Sequence, residues 1–108
     1  MIARIWRGWA DLDRADAYPA HFERVVVPDL LATPGFVDAQ LLQRADGDRI
    51  EFTVISRWRD RAAIAAFAGD RPERAVVEPG AVAALVEVEE TVRHHEVRLG
   101  VDPASGSG

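Results

Sequence analysis

The sequence predicts an α+β fold of ferredoxin-like order, β-α-β-β-α-β, in which a four-stranded antiparallel sheet carries both helices on one face. Three observations lead to this prediction: a strand-like run followed by a helical apolar stripe, two β-like runs joined by an Asp-Gly turn, and an alanine-rich segment followed by a valine-rich run. The chain has 108 residues, of which 48% are hydrophobic, and this allows one core and excludes two independent folding units.

The first strand and the first helix are predicted from the N-terminal third. Ile2–Trp9 mixes β-branched and aromatic residues, as strands do, and the acidic residues that follow mark a helix start. From about Asp13 to Leu31, apolar side chains recur at helical spacing. Pro28 is expected to break or kink this helix, so that its final turn forms a separate piece, and Thr33–Gly35 ends the segment.

A hairpin and a second helix follow. The runs Phe36–Arg44 and Ile50–Trp58 are joined by Ala45–Arg49, whose Asp-Gly pair supplies a residue that tolerates a positive φ. Asp60 is a suitable N-cap for the short alanine-rich helix that comes next, and Gly69 is a suitable end for it.

The C-terminal third is expected to be irregular over Arg71–Ala84, with helical turns, and then to form a strand over Val86–Leu99. The apolar residues of that strand change parity along its length, which predicts a bulge near His94–His95. We assign residues 1–100 to the domain and residues 101–108 to a flexible tail.

One face of the predicted sheet has no helix to cover it. This face carries Ile5 and Trp9 from the first strand and Thr53 and Ile55 from the third, which is too much apolar surface to leave in water. Because packing two such sheets face to face buries both, we expect a homodimer with a shared β-barrel core.

The composition excludes several classes of chemistry. The formal charge of −5 disfavours a general attraction to nucleic acid or to an anionic membrane, no apolar run is long enough for a membrane helix, and we expect a cytoplasmic protein. The absence of cysteine removes disulfides and thiolate metal sites, and the absence of lysine removes Schiff-base chemistry. The sequence also lacks nucleotide-binding glycine motifs and the serine-hydrolase elbow.

Four segments of the chain carry a family resemblance: Met1–Gly8, Ala32–Phe36, Trp58 together with Ala63–Gly69, and Val92–Val97. With these segments the chain resembles the antibiotic biosynthesis monooxygenase family of the dimeric α/β-barrel superfamily. The resemblance implies a dimer and a small apolar pocket between the sheet and the helices. It does not fix a reaction, since members include cofactor-free oxygenases, haem-degrading enzymes and proteins of unknown role.

Two tryptophans are candidate pocket residues. Strand alternation places Val54 and Trp58 on one face of the third strand, below the start of the second helix. The resemblance implies that Trp58 lines the ligand cavity, and the alternative is that it fills core volume. With the first strand taken as parallel to the third, Trp6 and Trp58 are expected to flank a planar ligand.

The resemblance disfavours haem as a cofactor. Haem-degrading members place a histidine in the second helix about ten residues after their tryptophan, where this chain has Phe67–Ala68. We therefore expect no cofactor, with haem kept as the alternative, and we count Phe67 among the pocket residues. Haem-degrading and quinone-forming members also usually have an asparagine close to Trp6 that binds substrate or oxygen, and this sequence contains none. The resemblance therefore does not extend to that polar part of either mechanism.

The first helix and the first strand supply the candidate catalytic residues. Tyr18, His21 and Phe22 occupy neighbouring positions of one helical stripe, so Tyr18 and Phe22 are expected to bind substrate. His21 is the best available general base for a phenol or an enol, and the alternative is a partly exposed helix histidine. Arg4 shares the parity of Trp6 and is the candidate to hold the substrate anion.

The adjacent histidines of the last strand do not predict a metal site. His94 and His95 should point to opposite faces, so they cannot bind one metal together without a bulge. We expect no metal, and we place His94 in the pocket as a substrate-binding residue, with a structural role as the alternative.

These observations favour a cofactor-independent monooxygenase that acts on a small aromatic or polyketide-like substrate. In that hypothesis the ionised substrate itself reduces dioxygen while the protein orients it. The alternatives are a non-catalytic dimeric protein that binds haem or a hydrophobic metabolite, and a polyketide cyclase that uses the same cavity.

Overall fold

A computed structural model describes residues 1–103 and gives the predicted architecture, an antiparallel sheet with its helices on one face. The elements are β1 (Ile2–Asp11), a 3-10 turn (Leu12–Arg14), α1 (three consecutive helical segments, Ala17–His21, Phe22–Val26 and Val27–Ala32), β2 (Phe36–Asp46), β3 (Arg49–Trp58), α2 (Arg61–Ala68), α3 (Pro79–Ala84), β4 (Glu87–Val88) and β5 (Arg93–Glu96). The sheet order is β2-β3-β1-β4, with β5 also paired to β1. The ferredoxin-like fold class is therefore confirmed, whereas residues 104–108 of the predicted tail lie outside the described residues.

The pairing of β1 with β3 is antiparallel, so the parallel arrangement expected from the sequence is wrong. A crossover through α1 makes β1 and β2 run in the same direction, and the hairpin then returns β3 between them in the opposite direction. Trp6 pairs with Val54 and Ile2 pairs with Trp58. The two tryptophans share the helix-covered face, but four residues of strand separate their pairing positions.

The chain stays helical through Pro28, so the expected break does not occur, but the last part of the helix, Val27–Ala32, is a separate segment as predicted. Proline has no N–H, and its ring crowds the carbonyl four residues back, which here is that of Arg24. The helix responds by widening: Phe22–Val26 forms a π segment, and the Val27 N–H donates to the Phe22 carbonyl five residues earlier. All residues at the segment junctions keep right-handed helical angles.

The hairpin and the second helix form as predicted. β2 and β3 extend to Asp46 and Arg49, which leaves a two-residue turn with a positive φ at Gly47 alone, the pattern of a type II′ turn. The Asp60 carboxylate accepts a hydrogen bond of 2.9 Å from the Ala63 N–H and caps α2, which ends at Gly69.

The last strand is interrupted, and the interruption is not where the parity of the apolar residues predicted it. Register with β1 changes between β4 and β5, at residues 89–92, whereas His94–His95 lie in the regular part of β5. Glu89 still donates its N–H to the Arg7 carbonyl of β1, but residues 90–92 leave β1 and pair with the loop before α3. There the Ala75 N–H donates to the Glu90 carbonyl at 2.9 Å, and the Val92 N–H donates to the Glu73 carbonyl at 2.8 Å. This second pairing, which no strand periodicity signals, sets the position of the bulge.

The uncovered face of the sheet carries both apolar side chains and ion pairs. Ile5, Thr53 and Ile55 are partly buried there, and Trp9 lies beneath the guanidinium of Arg7 at 5.4 Å. Arg7 also pairs with Glu51 and Glu89, each at 3.1 Å. Within residues 1–103, none of the helices is long and apolar enough to cross a membrane.

Because Gly35 has no side chain, the backbone just before β2 can lie close to Ala63 of α2. Replacing Gly35 should therefore lower the free energy of unfolding. Gly35 and Gly47 both have positive φ, but a Cβ at position 35 would lie 2.5 Å from the Ala63 Cβ, whereas one at position 47 would meet no atom within 4 Å. Gly47→Ala should cost about 1 kcal/mol of backbone strain. Gly35→Ala should cost roughly 1–3 kcal/mol more, because the clash adds to the strain. Denaturant unfolding of both variants tests this, and equal losses would contradict it.

Candidate functional site

A cavity of about 60 Å³ lies between the sheet and α1. That volume accommodates a few water molecules. Its lining is aromatic and aliphatic apart from Arg4 and Ser56 and consists of Arg4, Trp6, Tyr18, Phe22, Val26, Leu30, Val54, Ser56, Phe67, Val76 and Val92. A surface depression of about 300 Å³, the outer depression, adjoins this inner cavity and shares Phe67 and Val76 with it.

Two cross-strand pairs form the floor of the cavity. Arg4 lies directly opposite Ser56, and Trp6 lies directly opposite Val54. Directly opposed residues of an antiparallel pair point to the same face, which here is the face that α1 covers. The register of β1 on β3 therefore places one guanidinium and one hydroxyl beside the indole of Trp6.

The π segment of α1 forms the roof. The lining residues Tyr18, Phe22, Val26 and Leu30 recur every four residues. In a regular α-helix of 3.6 residues per turn, this spacing drifts around the axis, by about 40° at each step. The wider turns of the segment Phe22–Val26 reduce the drift, so all four side chains reach the same cavity.

Arg4 is buried without a carboxylate partner among the described residues. Its Nη1 donates to the Pro72 carbonyl and contacts His94 Nε2 at 3.0 Å, and its Nη2 donates to the Arg74 carbonyl at 3.0 Å. Burial lowers the pKa of Arg4 to about 10. The side chain thus stays charged at neutral pH while all of its protein acceptors are uncharged.

Tyr18 contributes a phenol rather than a phenolate. Its ring is buried, with its centroid 5.7 Å from that of Trp6 and 5.4 Å from that of Phe52. Burial, and to a smaller extent the nearby Glu78 carboxylate, raise the pKa of Tyr18 well above its ordinary value. The hydroxyl group therefore keeps its proton and can act as a hydrogen-bond donor, not as a base.

Trp58 does not line the cavity. Its ring is fully buried and packs against Phe36 and Phe67, with centroids 5.3 and 5.2 Å away. The Trp58 Nε1 donates to Ser56 Oγ at 2.9 Å. Of the two interpretations drawn from the sequence, the structure places Trp58 in the packed core, where it supports two residues of the lining.

His21 also lies away from the cavity. Its ring is buried against α3, where a Cβ at position 80 would lie 2.5 Å from His21 Nδ1, and its Nε2 is 3.8 Å from the Glu78 carboxylate. His21 is three residues after Tyr18, which on a helix turns it about 60° away from the Tyr18 line. The ring faces Gly80, so we do not assign it the proton-transfer role expected from the sequence.

His94 does not line the cavity but contacts Arg4, which does. It lies opposite Arg4 in the β1–β5 register, and its Nε2 contacts the guanidinium. Desolvation lowers the pKa of His94, and the positive charges of Arg4 and Arg61 lower it further. The neutral ring therefore accepts a hydrogen bond from Arg4 and leaves the guanidinium as the charge of the site.

Several lining residues were not recognised in the sequence. Ser56 could have been found from its register with Arg4, and Val26 and Leu30 from their four-residue spacing after Phe22. Val76 and Val92 carry no such signal, because the pairing of residues 90–92 with the loop before α3 brings them to the cavity.

The lining does not fit a haem group. It contains no histidine, and the position in α2 where a ligand to iron was considered is occupied by the apolar ring of Phe67. Among residues 1–103, no group of three or more His, Asp or Glu residues is arranged to hold a metal ion. The residues of the site instead offer aromatic surface with hydrogen-bond donors.

The chain belongs to the antibiotic biosynthesis monooxygenase family, whose profile matches residues 1–79. This confirms the resemblance noted in the sequence. A comparison with curated protein sequences gave no match.

Solved structures with the same fold cover nearly the whole chain. Rv0793 from Mycobacterium tuberculosis is 21% identical over 94% of this chain and 98% of its own, with a TM-score of 0.63. SnoaB, a cofactor-independent oxygenase from Streptomyces nogalater, is 20% identical over 92% and 95%, with a TM-score of 0.59. The haem-degrading protein Rv3592 from Mycobacterium tuberculosis is 20% identical over 93% and 99%, with a TM-score of 0.50.

If Trp58 is a core residue, Trp58→Phe should lower the free energy of unfolding by about 1–2 kcal/mol, because it removes packed volume and leaves Ser56 without its donor. Ser56→Ala removes the same hydrogen bond, so the double variant should lose less than the sum of the single variants. Chemical unfolding followed by circular dichroism measures all three. Unchanged stability of Trp58→Phe would contradict the core position.

The lowered pKa of His94 predicts a loss of stability in mild acid. Below the model-compound value of 6.5, the unfolded chain binds a proton that the folded chain does not, so the free energy of unfolding falls as the pH falls. The effect should be small, since His94 is partly exposed. His94→Gln should flatten this part of the profile between pH 7 and pH 5, measured as the unfolding midpoint. A variant profile parallel to that of the wild type would refute the prediction.

Proposed function

We propose that this protein is a cofactor-independent monooxygenase that acts on a small aromatic or polyketide-like substrate held between the sheet and α1. Family membership supports this, and SnoaB, described as a cofactor-independent oxygenase, shares the fold. The observation that carries the proposal is the charged guanidinium of Arg4 at the floor of a cavity whose other lining residues, apart from Ser56, are aromatic or aliphatic. Such a site favours the ionised form of an apolar substrate.

The proposed reaction converts an activated methylene group into a ketone. The substrate loses a C–H proton, and its carbanion transfers electrons to dioxygen and forms a C–O bond. The resulting hydroperoxide loses water, so one dioxygen gives one carbonyl oxygen and one water molecule. The substrate is oxidised, dioxygen is reduced, and no further reductant is required.

Arg4 is the proposed catalytic residue, since it would touch the oxygen on which the substrate's negative charge rests. A guanidinium at this position lowers the pKa of a bound phenol or enol. The lining contains no histidine or carboxylate to take the proton. We therefore propose that the proton leaves to water at the open side of the cavity, and that the enzyme selects substrates that ionise readily.

The inner cavity is smaller than the roughly 300–1,000 Å³ of typical ligand pockets. We propose that the substrate displaces Val76, which belongs to the irregular segment between α2 and α3, and so joins the inner cavity to the outer depression. Trp6 and Tyr18 would then contact the plane of the substrate. This movement leaves the β1–β3 register and α1 unchanged.

We propose further that the protein acts as a homodimer in the cytoplasm. The partly buried Ile5, Thr53 and Ile55 on the uncovered face support a second copy as its cover. Sedimentation of a stable monomer at micromolar concentration would remove this part of the proposal.

The enzyme should consume dioxygen with a hydroxyanthrone as substrate, faster than the spontaneous oxidation and with one dioxygen used per quinone formed. Arg4→Met should lower kcat by about 100-fold, the usual effect of removing one group that stabilises a developing oxyanion. The matched control is Arg57→Gln, which removes a guanidinium from the opposite face of the sheet. An oxygen electrode and product absorbance give both rates.

Three outcomes would contradict the monooxygenase proposal. No uptake above the spontaneous rate across a panel of anthrones that carry an activated methylene group would remove it. A ligand that raises the unfolding temperature without turnover would indicate a binding protein. A cyclised product with an unchanged number of oxygen atoms would indicate a cyclase.

A further inference from the structure

The donors of Arg4 are only partly used by the protein. A guanidinium carries five N–H groups. Two of those on Arg4 Nη1 and one on Nη2 are engaged by the carbonyls of Pro72 and Arg74 and by the ring of His94. The Nε–H and the second Nη2 hydrogen have no acceptor within residues 1–103. Both belong to a side chain that lines the cavity.

Arg57, on the opposite face of the sheet, shows what these two donors do when an acceptor is present. Its Nε donates to one oxygen of Asp38 at 2.7 Å, and its Nη2 donates to the other. This is the bidentate geometry that a planar fork prefers. On Arg4, Nε has no acceptor within residues 1–103, and Nη2 uses one of its two hydrogens on the Arg74 carbonyl, which leaves the other for a ligand.

Burial removes water from the Arg4 guanidinium, and no negative charge within residues 1–103 compensates for this loss. Burial is the cause of the lowered pKa of Arg4, and no carboxylate of the described chain opposes it. A buried charge is expected to be paired. Within residues 1–103 the charge of Arg4 therefore has no counterion, and a bound anion would supply one.

The neighbours of Arg4 add donors and no negative charge. Ser56 lies directly opposite, and because its Oγ accepts from Trp58, its own hydrogen is free to donate into the cavity. His94 accepts from Arg4 and stays neutral, so it does not compete with an incoming anion. The Trp6 indole N–H is already donated to the Glu89 carbonyl at 2.7 Å, which leaves the ring as apolar surface.

We propose that Arg4 and Ser56 form a subsite for a planar monoanion with two neighbouring oxygens, attached to a small apolar body that contacts Trp6. A carboxylate and the enolate of a 1,3-dicarbonyl compound both present this chemistry. The inference rests on the proposed function in that it names the group by which the substrate of that cavity is held.

The test compares matched ligands under nitrogen at pH 7 by isothermal titration calorimetry. Benzoate and benzamide have the same shape, and only benzoate is charged. Benzoate should bind at least about 10-fold more tightly, because hydrogen bonds to charged groups contribute more than neutral ones. Ionised cyclohexane-1,3-dione supplies the enolate, with cyclohexanone as its neutral counterpart, and the tighter of the two anions identifies the class of substrate.

Two variants of Arg4 distinguish the contribution of its parallel N–H donors from that of its positive charge. Arg4→Lys keeps a cation but loses the two parallel donors, and should lower benzoate affinity about 10-fold. Arg4→Met should abolish the preference for benzoate over benzamide. Arg57→Lys is the control on the other face and should leave both affinities unchanged. Should Arg4→Met fail to fold, Ser56→Ala and the ligand pair on the wild-type protein carry the test.

Equal affinity of the wild-type protein for benzoate and benzamide, and likewise for the dione and cyclohexanone, would overturn the subsite. So would a benzoate preference that survives in a folded Arg4→Met variant. These measurements involve no turnover, so they are independent of oxygen uptake. Anion preference without oxygen consumption would overturn the monooxygenase and keep the subsite, and oxygen consumption without anion preference would do the reverse.

Discussion

The antiparallel register of β1 on β3 is the constraint on which the site depends. It sets Arg4 against Ser56 and Trp6 against Val54 on the face that α1 covers. A slip of one residue would move every side chain of the strand to the other face. The guanidinium would then reach the exposed ion pairs, and the cavity would lose its only charge among the lining residues.

Helix α1 complements that floor because of a single proline. Pro28 cannot supply an N–H to the turn before it, and the backbone accommodates this by a wider turn instead of a break. The wider turn keeps residues four apart on one line, so aromatic and aliphatic side chains roof the cavity along its length. The hydrogen bond that Pro28 cannot make thus determines how the side chains of α1 line the cavity.

The arginines of the sheet fall into two environments that differ in charge pairing. On the uncovered face, Arg7 and Arg57 each have carboxylate partners, and water screens what remains. On the covered face, Arg4 has carbonyls and a neutral imidazole. Within residues 1–103, the exposed arginines of the sheet are thus paired, whereas the buried one, which lines the cavity, has no counterion. This contrast, within one sheet, is the main reason to expect an anionic substrate.

The sequence by itself determined the order of elements, the hairpin turn, the Asp60 cap and the alternation that put Arg4, Trp6 and Val54 on the covered face, since these follow from local periodicity and turn chemistry. Only the tertiary structure decided that His21 faces Gly80, that Trp58 lies behind the lining, and that Val92 reaches the cavity. The first depends on how α3 packs on α1, the second on how Phe36 and Phe67 pack against Trp58, and the third on the pairing of residues 90–92 with a distant loop. Such contacts join segments far apart in the chain, and no local pattern encodes them.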